Sequence, residues 1–500
     1  FFDNMGERPI TAATWKPYEI TGLIDADAQY LTIGLLLLGT GKAWMDGVRV
    51  EVFDGKSWTP VPADHLSPNY VPTKAPLDPK LEKAIVAQIK ANAIPLTTVE
   101  AGHGFDDLAP LDKIVGDARI VALGEASHGT REFFQMKHRL LEYLVNKKGF
   151  TVFAIEANWP ESEVADRYIK TGEGDPTRAL DAMYFWTWHT KEVADMIQWM
   201  RDYNQKPGDH PTLTFTSFDM QTPNVAARLV HEYFAKADKA SLPTVQAAYA
   251  RYTQERPLQR VSLTPEVLKA DRAHAEEVLK LLDSKRSDLV RATSEADFRH
   301  ARQCALIVQQ AATMNAPQQN PYEIRDRSMA ENVRWLAEEA YPNQKIVLWA
   351  HNGHIGDDLI LGAPTMGRHL RKMYGTKMVT FGFGFDFGEI RASTLSGDKF
   401  TTGPIPQKVP PAMAGSAEAI LRQAGSPRYL LDLRSISPTS SLGIWLAQDQ
   451  LFREPGAAYA PDQPQAMFSP TILSKRFDNL IFIAESHASV YLPPGIAPKK

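Results

Sequence analysis

Short apolar runs, each ended by an ionisable or amide side chain, recur along this chain and set its expected architecture. Residues 119–123 are apolar, partly β-branched and stopped by Gly124, which predicts a buried strand. Behind them, residues 132–145 carry Phe133, Met136, Leu140, Leu141 and Leu144 at helical spacing, which predicts an amphipathic helix. Glu125 and His128 therefore fall in a strand-to-helix turn, between Gly124 and Gly129. In α/β proteins such turns lie outside the carboxyl end of the sheet and contact ligands. A second apolar run, 151–155, delivers Glu156 at its end, and a third, 346–350, is followed by His351 and His354. A weaker run, 213–219, leads to Asp219 and Gln221. Each residue alone has a plain structural reading: His128 bracing its turn, Glu156 capping a helix or pairing with a cation. Together they predict a mixed, mostly parallel sheet flanked by helices, with these strand ends converging on one edge as in a catalytic cleft.

The rest of the pattern divides the chain. Residues 1–62 lack helical periodicity and read as strands at 15–21, 30–38 and 47–53, broken by Gly39, Gly41, Asp46 and Gly47. They resemble the last strands of a jelly-roll, carbohydrate-binding-like module, or else form a β-extension packed on the catalytic part. The Pro-rich stretch within 63–79 reads as a linker, with helices starting at 80–91 and one catalytic domain over 80–500. A charged, helix-rich stretch at about 223–340 reads as an insertion forming a wall or lid. The aromatic run 184–189, which includes Trp186 and Trp188, is either core or an apolar wall for a substrate. Residues 381–388 read as a strand and turn near the cleft, and 480–483 as a last strand. The chain opens on Phe1 rather than Met, which reads as a fragment or processed product.

Composition narrows the function classes. Five hundred residues at 44% hydrophobic content suffice for a large core, and a net charge of −4 without a basic run leaves nucleic acid no electrostatic footprint. The longest apolar run, 31–38, is too short to span a bilayer, so a soluble protein is expected, exported or periplasmic ahead of cytoplasmic. Cys304, the one cysteine, excludes an intramolecular disulfide and sits in an apolar helical stretch, where it reads as a small buried hydrophobe.

Two hydrolytic chemistries compete for the Glu/His set. A serine hydrolase would need a Gly-x-Ser-x-Gly elbow, which the chain lacks. Glu125, His128, Glu156, His351 and His354 have the ligand types of a zinc or manganese site, but no His-Glu-x-x-His motif fixes their spacing. Histidine titrates naturally near neutral pH and can take a proton from water, with a neighbouring carboxylate fixing its tautomer. Arg325 and Arg327, at the start of a helix expected over 328–339, are candidates to stabilise an oxyanion.

The blocks Gly-Glu-Ala-Ser-His-Gly-Thr, Ile-Glu-Ala, Phe-Asp-Met-Gln, Arg-Asp-Arg-Ser-Met-Ala-Glu-Asn and Trp-Ala-His-Asn-Gly-His resemble, in order, those of the erythromycin esterase family. The resemblance spans roughly residues 85–490. It implies hydrolysis of a macrolide lactone or another ester without a metal or other cofactor, linking the chain to a small-molecule substrate. It also implies that His128 acts as general base, with Glu125, Glu156 and a histidine of His351 and His354 completing the site. The reading is thus a metal-independent carboxylic ester hydrolase with Arg325 in support and Trp186, Trp188, Asp219 and Gln221 contacting substrate. A metal-dependent hydrolase using the same cluster, or a non-catalytic carbohydrate-binding protein, are the alternatives.

Overall fold

The computed structural model describes residues 10–24, 33, 44–61, 74, 76–253, 263–317, 319–360, 362–396 and 399–492. Its centre is a ten-stranded sheet. In chain order its strands are β1 (Ile94–Pro95), β2 (Ile120–Leu123), β3 (Phe150–Asn158), β4 (Thr214–Asp219), β5 (Lys345–Trp349), β6 (Met378–Ser396), β7 (Lys399–Val409), β8 (Arg428–Asp432), β9 (Ala458–Tyr459) and β10 (Asn479–Ser486). In space they run β1-β8-β10-β6-β2-β5-β3-β4, with β7 and β9 added along the far part of β6. From β10 through β4 every pairing is parallel; β8 and β1 close the other end antiparallel.

Strands covered on both faces favour near-continuous apolar runs, and β2 throughout and β5 after Lys345 have them. Ile120 and Ala122 of β2 enter the core on one face, Val121 and Leu123 the core on the other. Ile346 and Leu348 of β5 alternate in the same way with Val347 and Trp349. The helix Arg131–Lys148 packs on the second face and the helix Pro321–Trp335 on the first. After β2 the chain skips over the position later taken by β5 to form β3, while β6 adds on β2's other side. A crevice opens where strand order diverges in this way, outside the carboxyl ends.

Several elements differ from the sequence reading. The run 151–155 continues to Asn158, so Glu156 lies inside β3, where register against β4 shifts between Ile155 and Asn158. The helix expected over 328–339 begins at Pro321, its first turn capped by Asn320, and ends at Trp335 before a π turn over Leu336–Ala340. Arg325 thus lies within that helix. Residues 381–388 form no turn; they are the middle of β6. Phe381, Phe383 and Phe385 fill one core, and between them a Cβ on Gly382 would meet the Phe477 ring at 2.7 Å. Those glycines admit rings from the opposite face rather than bend the chain.

Residues 15–21 carry no strand, and of the expected 47–53 only Glu51–Phe53 is one, paired antiparallel with Trp58–Pro60. The expected strand 30–38 lies, apart from Ile33, outside the described residues, as does most of the expected linker. Helix Pro79–Asn92 follows, with Asp78 accepting from the first-turn amides of Lys80 and Leu81. Between 224 and 340 the helices Asn224–Ala237, Pro265–Ser284 and Glu295–Met314 enclose a separate apolar cluster that contains the buried Cys304.

Candidate active site

The turn after β2 is held by backbone on both sides. His128 N–H donates to Gly456 O at 3.1 Å, and Gly456 N–H donates to Ala126 O at 3.1 Å. Gly129 O accepts from Arg391 N and from Ser489 N, each at 2.9 Å. A Cβ on Gly129 would lie 2.0 Å from Arg391 O, so only glycine allows this close approach.

In that turn, His128 Nδ1 lies 2.6 Å from Glu125 Oε1. Glu125 is fully buried. Burial alone would raise its pKa, but the Lys137 ammonium and His128 hold it below the usual carboxylate range. An ionised carboxylate only accepts, so Nδ1 carries a proton and donates to it. The His128 side chain is 14% exposed, enough to meet solvent. Glu125 Oε2 also accepts from Lys137 Nζ at 2.5 Å and from Trp349 Nε1 at 2.7 Å. Lys137 itself is fully buried, 4.3 Å above the Trp349 ring, and burial pulls its ammonium down to about 8 while Glu125 keeps it charged.

A second ionic cluster joins the ends of β3, β4 and β5. Glu156 Oε1 accepts from Arg325 Nη2 at 2.7 Å, and Oε2 accepts from His351 N–H at 2.8 Å. Burial opposes the Glu156 charge, yet His354 and Arg325 hold its pKa far below the ordinary range. Arg325 also grips Asp219, Nη2 to Oδ2 at 2.8 Å, and Gln221 Nε2 donates to the same oxygen at 2.7 Å. His354 sits between them, with Nδ1 2.9 Å from Asp326 Oδ1 and Nε2 2.9 Å from Arg325 Nη1. Burial would lower the His354 pKa, but the Asp326 and Glu156 carboxylates outweigh it and raise it.

The two histidines after β5 are therefore differently placed. Both ring nitrogens of His351 are bonded: Nδ1 accepts from Gly353 N–H at 3.1 Å and Nε2 donates to Ala126 O at 3.2 Å. Burial, with His128 5.1 Å away between ring centres, pushes its pKa down to about 3, so it is neutral. It braces the His128 turn and presents its backbone N–H to Glu156. His354 belongs to the ionic cluster. Trp188 is buried, its indole N–H donating to Glu156 O at 3.1 Å and its ring edge-on to His128 at 6.2 Å. Trp186, in the same short 3₁₀ turn, remains partly exposed. Arg327 points elsewhere, to Glu323 on its own helix. Among the described residues no group of three or more His, Cys, Asp and Glu is arranged to hold a metal ion.

Lys137, Trp349 and Asp326 complete the site and were not singled out from the sequence. Lys137 had a signal. It falls between Phe133 and Leu141 in the four-residue row that faces the core, where a lysine requires a buried partner. Asp326 and Trp349 had none beyond standing beside Arg325 and inside a strand.

The family model for erythromycin esterase matches residues 145–486. That span holds Glu156, Asp219, Arg325, His351 and His354, while Glu125 and His128 precede it. A putative hydrolase of Bacillus subtilis, YbfO, is 26% identical over 69% of this chain and 80% of its own. Erythromycin esterase type II of Escherichia coli is 26% identical over 59% of this chain and 75% of its own. A Bacillus cereus protein of solved structure superposes with a TM-score of 0.72 at 29% identity, covering 82% of this chain and 99% of that one. A mutant of the erythromycin esterase EreC in its open conformation shares the fold, with a TM-score of 0.62 at 17% identity over 77% of this chain and 95% of its own. The family match and the hydrolase names of these relatives support a hydrolase built on a mixed α/β fold. The chain belongs to the erythromycin esterase family.

Proposed function

We propose that this protein hydrolyses a carboxylic ester or lactone of a small molecule, with His128 as the general base and without a metal. The observation that supports the reading is the Lys137–Glu125–His128 relay, which holds the partly exposed imidazole through Nδ1 and makes Nε2 the nitrogen to meet a water. In the reaction, water attacks the carbonyl carbon and gives a proton to His128 Nε2. The tetrahedral intermediate then expels the alkoxide as the C–O bond breaks, and Nε2 returns the proton to it. Arg325 supplies the positive charge that favours the developing oxyanion, and His354 accepts from its Nη1. Glu156 and Asp219 fix the arginine, and His351 fixes the turn. Family membership and the name of the Escherichia coli relative make a macrolactone the first substrate to try. The test is mass spectrometry of a mixed ester and lactone panel that includes a macrolide. One substrate should gain one water; a panel untouched at high enzyme concentration would contradict the reading.

A further inference from the structure

Where β3 ends, two buried polar side chains have hydrogen-bonding capacity that the protein leaves unfilled. Asn158 is fully buried; its Oδ1 accepts from Thr222 N–H at 3.1 Å, and its Nδ2 has no partner among the described residues. Glu161 is 2% exposed; its Oε1 accepts from Thr222 Oγ1 at 3.3 Å, and among the described residues its Oε2 has no partner. Both groups converge on Thr222, in the loop after β4. Each buried group left unpaired costs about 1–3 kcal/mol, so the pair calls for a third participant.

Their position points to substrate. Asn158 lies two residues beyond Glu156 on the same strand and is paired in register with Asp219, which holds Arg325. Burial, with Asp219 adding to it, raises the Glu161 carboxyl to about 8, so at neutral pH it is an uncharged donor and acceptor. Tyr184 is 40% exposed, and burial together with the Glu161 carboxyl raises the pKa of its hydroxyl. Its backbone is held at φ 63°, a conformation that bulky residues rarely adopt outside functional sites.

We propose that Asn158, Glu161 and Thr222 form a subsite for a hydroxyl group carried by the substrate. A hydroxyl has the chemistry that both orphaned atoms call for: it can accept from Asn158 Nδ2–H and exchange a hydrogen bond with Glu161 Oε2. An apolar group would leave both unpaired, and an anion would meet the Asp219 carboxylate. The subsite rests on the hydrolase reading above and narrows its substrates to hydroxylated esters.

The test compares matched pairs of esters, with and without one hydroxyl, placed at successive carbons on the acyl and alkoxy sides. The corresponding non-hydrolysable ethers are measured for binding by calorimetry. For at least one position, wild type should favour the hydroxylated ester by about 10- to 100-fold in kcat/KM and its ether similarly in Kd. Asn158→Ala and Glu161→Ala should bring that ratio close to one. Glu161→Gln should keep it, because a carboxamide still offers a donor and an acceptor. Equal treatment of every pair by wild type, or a preference that survives both alanine variants, would overturn the subsite and leave water as the occupant. Ethers that bind with the preference while no ester is cleaved would support the subsite and sink the hydrolase reading. Esters cleaved without any preference would do the reverse.

Discussion

At the scale of single residues, the site depends on which charges are paired. Glu125 is a buried carboxylate with one histidine, one ammonium and one indole around it, and the ammonium supplies its full compensating charge. Replacing Lys137 by Met would leave that carboxylate buried and unpaired. Breaking a buried pair costs about 3–5 kcal/mol, and urea denaturation of Lys137→Met should show a loss of that order. A change below about 1 kcal/mol would mean that Glu125 is neutral, and the tautomer assigned to His128 would fall with it. The sequence made Glu125, His128 and Glu156 legible because each follows an apolar run that can only be a strand. It could not separate His351 from His354. Their difference lies in what faces them, Ala126 O and Gly353 N–H for one and Asp326 and Arg325 for the other, and these partners come from distant segments.

At the scale of elements, the central strands and the helix after His128 were legible from periodicity, since burial on both faces writes an unbroken apolar run. The ends were less so. The sequence stops β3 at Ile155 because Glu156 is charged, yet the strand runs on to Asn158, because Arg325 and the His351 amide satisfy that carboxylate in place. The glycines of β6 misled for a related reason: their partners, Phe477 and Phe452, lie far along the chain. The turn that carries His128 is the element most sensitive to change. Gly129→Ala must displace either the turn or β6, given a 2.0 Å approach to Arg391 O. A shift of about 1 Å at a reacting group can cost about 100-fold in rate, so kcat should fall by at least about tenfold. Steady-state kinetics on the folded variant checks this; an unchanged kcat would show that the turn tolerates the movement.

At the scale of the whole molecule, buried titratable groups of opposite kinds shape stability against pH. His138 and His351 are held neutral, burial lowering them to about 4 and about 3. Their folded values lie below the unfolded value of about 6.5, so this stability is complete above it and is lost as pH falls toward 4 and 3. Burial raises the Glu418 carboxyl to about 7. Its contribution is complete below about 4.5 and is lost as pH rises through 7. The Glu161 carboxyl, raised by burial to about 8, acts in the same direction as Glu418, so urea midpoints measured across pH should form a dome with its top at about pH 5–6.5, and a midpoint rising steadily to pH 9 would contradict these assignments. Metal content belongs to this scale too. A base that keeps its lone pair for water predicts well under one metal ion per chain by elemental analysis and activity that survives chelation. Stoichiometric metal that restores lost activity would make a metal-bound hydroxide the nucleophile.

The central claim is that His128 takes the proton from the attacking water. Its most direct test is turnover of an identified ester by wild type and by folded His128→Gln, followed by mass spectrometry in ¹⁸O water. The account predicts one heavy oxygen in the acid product of wild type and a rate lower by about 10²–10⁴-fold in the variant. A folded His128→Gln protein that turns over at near the wild-type rate would contradict it.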